Sequence, residues 1–76
     1  MTYYKAIVTM KNGVHKIVRL TYLQVAHVVS EVRKFNQNIF RDVVEITLNG
    51  VTLCLNEILS WRIFNEYTRE EFLTLS

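Results

Sequence analysis

Apolar residues recur along this chain at two spacings. Over residues 2–20 and 43–55 they alternate with polar ones, as in strands with one buried face; over residues 20–37 they return every three or four positions, as on one side of a helix. The helical stretch, LTYLQVAHVVSEVRKFNQ, organises the rest. Thr21 with Gln24 three residues on fits a capping box, and Leu20 with Val25 is placed as a hydrophobic staple. Val25, Val28, Val29, Val32 and Phe35 then line one side, with Tyr22 at its edge; His27, Ser30, Glu31, Lys34 and the apolar Leu23 line the other. Four valines lower the intrinsic helix propensity, so this helix is expected to hold its shape by packing on a sheet. Asn36, Gln37 and Asn38 supply its polar stop.

Before the helix, Lys11-Asn12-Gly13 marks a hairpin turn, and alternation chooses the register. A two-residue Asn-Gly turn would set Met10 opposite His15 and mix polar with apolar residues on both faces. A three-residue loop with Gly13 in the left-handed position pairs Met10 with Val14, Ala6 with Val18 and Tyr4 with Leu20. That register gathers Tyr4, Ala6, Val8, Met10, Val14, Val18 and Leu20 on one face, with Lys16 as the misfit. It leaves Lys5, Ile7, Thr9, His15, Ile17 and Arg19 on the other. A one-residue slip would turn every side chain over, so the cleaner face decides for the longer loop.

After the helix, Asn49-Gly50 closes a second hairpin over residues 43–55. There Leu48 meets Val51, Ile46 meets Leu53 and Val44 meets Leu55. Residues 58–67, ILSWRIFNEY, fit neither period cleanly. As a helix, their apolar residues point in every direction. As a strand, Leu59, Trp61 and Ile63 share one face, and Ser60, Arg62 and Glu66 the other, with Phe64 among them. A strand entered through a kink at Asn56-Glu57 is the better reading. Thr68 with Glu71 repeats the capping pattern and predicts a short helix over residues 69–75, packing Phe72 and Leu75. The expectation is an α+β domain in the order β-β-α-β-β-β: an antiparallel sheet of four or five strands with one long helix on one face.

Composition narrows the class. Seventy-six residues, half of them hydrophobic, make one globular domain. Such a chain buries only about 60% of its unfolded surface, a size at which self-association commonly adds stability. The single cysteine, Cys54, excludes an internal disulfide and a multi-cysteine metal cluster; it points to a reducing compartment and to a small packing residue rather than a nucleophile. No apolar run reaches membrane-spanning length and no signal peptide opens the chain, so a cytoplasmic protein without membrane contact is expected. With two glycines, both in turns, there is no phosphate-cradling loop, and the two histidines have no metal-ligand spacing. Neither an enzyme nor a cofactor is expected.

The net charge of +2 hides an asymmetry. Residues 1–41 carry seven Lys or Arg against Glu31 alone, whereas residues 42–76 carry Arg62 and Arg69 against six acids. Lys5, His15 and Arg19, with Tyr3 beside them, form a basic and aromatic group of the kind that holds single-stranded nucleic acid. On the same uncovered side of the sheet, Ile7 faces Ile17, joined by Val43 and Phe64. A contiguous apolar patch left open marks a partner or self-association surface. A compact, proline-free chain with KNG and LNG hairpins and no catalytic motif resembles the small accessory proteins of phages and prophages. That resemblance implies a protein that binds and redirects a host macromolecule. The first expectation is therefore a non-catalytic protein-binding module, an inhibitor or regulator that forms a homo-oligomer. A nucleic-acid-binding module built on the basic N-terminal half is the alternative.

Overall fold

The computed structural model describes residues 2–37 and 44–76. Its elements are β1 (Tyr3–Met10), β2 (His15–Thr21), α1 (Tyr22–Gln37), β3 (Glu45–Leu48), β4 (Val51–Cys54), β5 (Ile58–Asn65) and β6 (Glu71–Leu75), with a single 3-10 turn over Leu55–Glu57 leading into β5. The chain is an α+β domain. β2-β1-β5-β6 form a four-stranded antiparallel sheet, and β3 and β4 form a separate two-stranded one.

The first hairpin has the longer loop. The Met10 amide donates to the Val14 carbonyl at 2.8 Å and the Gly13 amide to the Met10 carbonyl at 2.9 Å, with Gly13 at φ +89. Ala6 then pairs with Val18 and Tyr4 with Leu20. Val14 departs from expectation: at the loop's shoulder it reaches past the core and stays 49% exposed. The second hairpin pairs Leu48 with Val51 and Ile46 with Leu53, and the Leu55 amide donates to the Val44 carbonyl at 2.8 Å. At its turn Asn49 (φ +50) and Gly50 (φ +82) both take left-handed backbone.

α1 starts on the capping box. The Thr21 amide donates to Gln24 Oε1 at 2.9 Å, and the Gln24 amide to Thr21 Oγ1 at 3.3 Å. Val25, Val28 and Val32 are buried, and Phe35 packs against the same core. The β3–β4 hairpin adds Ile46, Leu48 and Leu53 to this core. Its turn is tied to the start of the helix: Gln24 Nε2 donates to Asn49 Oδ1 at 2.9 Å, and Asn49 Nδ2 donates to the Arg19 carbonyl. Trp61 of β5, 1% exposed, lies in the middle of the apolar cluster.

Two expectations for the C-terminal third are corrected. Residues 71–75 are a strand, not a helix, because Thr68 caps a turn instead: its Oγ1 accepts the Glu70 amide at 3.3 Å. Hydroxyl-to-backbone bonds of this kind serve turns and helix starts alike. Leu59 does not share a face with Trp61 and Ile63 but is 57% exposed. A bulge shifts the β1–β5 register, pairing Thr9 with Ser60 but Met10 with Ile58, and so turns Leu59 outward.

Candidate protein-binding face

With α1 and the β3–β4 hairpin packed on one side of the four-stranded sheet, no described element covers the other. The registers stack the outward side chains into rows. One row runs Arg19, Lys5, Phe64, Glu71; the next runs Ile17, Ile7, Arg62, Thr74; a third sets His15 beside Thr9 and Ser60. Tyr3 and Glu66 close the end beyond the first row, where the Glu66 amide donates to the Tyr3 carbonyl at 3.0 Å. Ile7, Ile17, Phe64, Tyr3, Lys5, His15 and Arg19 thus share one surface. Val43, the remaining residue expected there, lies outside the described residues.

The centre of the face is apolar. Ile17 is 65% exposed, while Ile7 and Phe64 are half-buried between their row neighbours. Around them the charges pair. Arg19 Nε donates to Glu66 Oε2 at 3.0 Å, and its guanidinium lies 3.9 Å from the centre of the Tyr3 ring. Arg62 Nε donates to Glu71 Oε1 at 3.4 Å and sits 5.2 Å from the Phe64 ring. The Glu71 carboxyl is held below its ordinary value, first by the Thr74 hydroxyl donating to it at 2.5 Å and then by Arg62. At the other corner Thr9 Oγ1 and His15 Nδ1 are 3.1 Å apart. Exposed pairs such as these contribute little to folding. What they do here is neutralise the rim.

Two cations on this side of the molecule, Lys5 and Arg69, have no acidic partner among the described residues. Arg69 is aimed by the β5–β6 turn. Asn65 Oδ1 accepts the Tyr67 and Thr68 amides at 2.9 and 3.0 Å, and the Arg69 amide donates to the Asn65 carbonyl at 2.7 Å. Lys5, Arg69, Arg19, Glu66, Phe64 and Ile7 together line an open hollow of about 740 Å³. A second hollow, of about 510 Å³, runs between α1 and β6 past Ala26, Val29, Phe72 and Leu73. Its lysine, Lys34, already meets Glu31 at 3.6 Å.

Arg62, Glu66, Arg69 and Glu71 were not singled out as contacts from the sequence. The alternation of Arg62 and Glu66 with Phe64 was visible, but the β1 residues they meet depend on pairing β1 with β5, about 50–60 residues apart, which no local pattern encodes; Arg69 and Glu71 lay in the stretch expected to be a helix. Cys54 is half-buried and its Sγ donates to Asn56 Oδ1 at 3.4 Å. Among the described residues no group of three or more His, Cys, Asp or Glu is placed to hold a metal ion, and no helix is long and apolar enough to cross a membrane. The chain matches no protein-family model, no curated protein and no solved structure.

Proposed function

We propose that this chain is a non-catalytic protein-binding module that docks a partner protein on the open face of its four-stranded sheet. The observation that carries the reading is the apolar strip of Ile17, Ile7 and Phe64, flanked by aromatic and arginine side chains. An apolar centre with a polar rim rich in Tyr and Arg is the anatomy of a protein interface. Nucleic acid fits the same face less well. Two of its arginines are already held by carboxylates, and Glu66 and Glu71 would repel phosphates. Both aromatic rings that bases would stack on already have a guanidinium against them.

The experiment replaces Ile7 and Ile17 together by lysine and compares capture of proteins from the native host, with folding followed by circular dichroism and mass by light scattering. A partner, or a second copy, retained by the wild type and lost by the folded Ile7→Lys/Ile17→Lys variant supports the proposal. Undiminished binding by that variant, with loss on Ala26→Arg in the groove beside α1, moves the interface to the groove. Retention on oligothymidylate that falls steeply with salt favours nucleic acid instead.

A further inference from the structure

We infer that the hollow beside Phe64 receives an acidic residue, next to an apolar one, from a different protein chain; this rests on the protein-binding reading above. The hollow has two chemical halves. Phe64 and Ile7 offer an apolar wall, while Lys5, Arg19 and Arg69 outnumber the one carboxylate, Glu66. Glu66 is engaged by Arg19, which leaves Lys5 and Arg69 as the two cations of this hollow with no acid against them among the described residues. Carboxylates of a partner satisfy that surplus, and a charged rim around an apolar contact fixes register and orientation. A second copy satisfies it poorly. Lys5, Arg19, Arg62 and Arg69 against Glu66 and Glu71 leave this side net positive, so two copies meeting here set like charge against like.

Arg69 provides a separate indication. It stands at φ +64, in left-handed backbone where glycine or asparagine is the unstrained choice, and its side chain is exposed. An exposed side chain there is not part of the buried core of the described residues. A residue kept in a disfavoured conformation without a packing role is a sign of a functional side chain. Here that side chain borders the hollow.

The test titrates the isotopically labelled full chain with three probes: acetyl-Leu-Glu-Leu-amide, acetyl-Leu-Gln-Leu-amide and a short oligothymidylate. Expected are amide shift changes at Phe64 and Arg69 with the glutamate peptide, and affinity lower by about tenfold for the glutamine peptide, the loss of one charge-assisted contact. Arg69→Gly should weaken the glutamate peptide by a similar factor while the melting temperature stays level or rises, because glycine relieves the left-handed backbone. If the two peptides bind the face equally and Ile7→Lys/Ile17→Lys removes both, the protein-binding reading stands and the acidic-partner inference falls. Tighter binding of oligothymidylate, absence of any shift at millimolar peptide, or an Arg69→Gly variant that melts well below the wild type also overturns it.

Discussion

The contact between Asn49 and Gln24 joins the turn of the small β3–β4 sheet to the first turn of α1, and it can be measured. Asn49 closes the β3–β4 turn, while its side chain accepts from Gln24 Nε2 at 2.9 Å and donates to Gln24 Oε1 at 3.3 Å and to the Arg19 carbonyl. Gln24 Oε1 in turn accepts the Thr21 amide at 2.9 Å as half of the capping box. Asn49→Gly keeps a turn that tolerates glycine at both central positions but deletes these side-chain bonds. A net hydrogen bond stabilises by about 0.5–1.5 kcal/mol, and exposure places these at the low end. Adding the flexibility that glycine introduces, the expected loss is about 2 kcal/mol. Gln24→Ala also removes the capping box, so the two substitutions share part of their effect, and the cycle should show a coupling of about 1 kcal/mol. The assay is urea unfolding followed by fluorescence of Trp61, which is 1% exposed and reports opening of the core. Strict additivity, with coupling within about 0.3 kcal/mol of zero, would refute the idea that this bridge holds the small hairpin onto the helix.

Two further outcomes are expected. Val28→Ala removes two methyl groups from a fully buried position on α1 and should cost about 2 kcal/mol, whereas Leu23→Ala, at a position 79% exposed, should stay within about 0.5 kcal/mol; comparable losses in urea midpoints would show that the helical phase is wrong. Glu71 has its carboxyl pKa lowered from 4.5 in the folded protein, so its ionised form contributes stability that is present above that value and disappears as pH falls through the lower folded one. Glu71→Gln should therefore flatten the loss of stability as the pH falls from above 4.5 to below it; an unchanged slope would mean that Thr74 and Arg62 do not hold the carboxylate in solution.

How far the sequence carried depends on how local the determining contacts are. Thr21 and Gln24 announce the helix because their bonds span three residues, and Gly13 and Gly50 fix hairpins whose partners lie a few positions away. The two isoleucines of the open face followed from that first register alone. Thr68 misled because its hydroxyl bonds to a nearby amide in a turn much as it would at a helix start. Leu59 was misplaced because the bulge beside it is set by β1, far away in the chain. For the same reason the separation of β3 and β4 from the main sheet, and the placing of Arg62 beside Ile7, lay beyond any reading of neighbours; Arg69 and Glu71 were missed because the stretch holding them was read as a helix.

The middle of the main sheet also bears on the order in which the protein assembles. β1 pairs on one side with β2, its neighbour in the chain, and on the other with β5, so that Tyr4 and Asn65, about 60 positions apart, end up opposite each other. Both hairpins and the helix can form while the chain is still being made, on microsecond timescales. The seam between β1 and β5 cannot close until residues 58–65 have been made and released, and closing so long a loop costs entropy before any contact compensates it. Until then β1 presents a bare edge, and the core lacks Trp61 and Ile63. Arrival of β5 is the step that makes a domain of three local pieces.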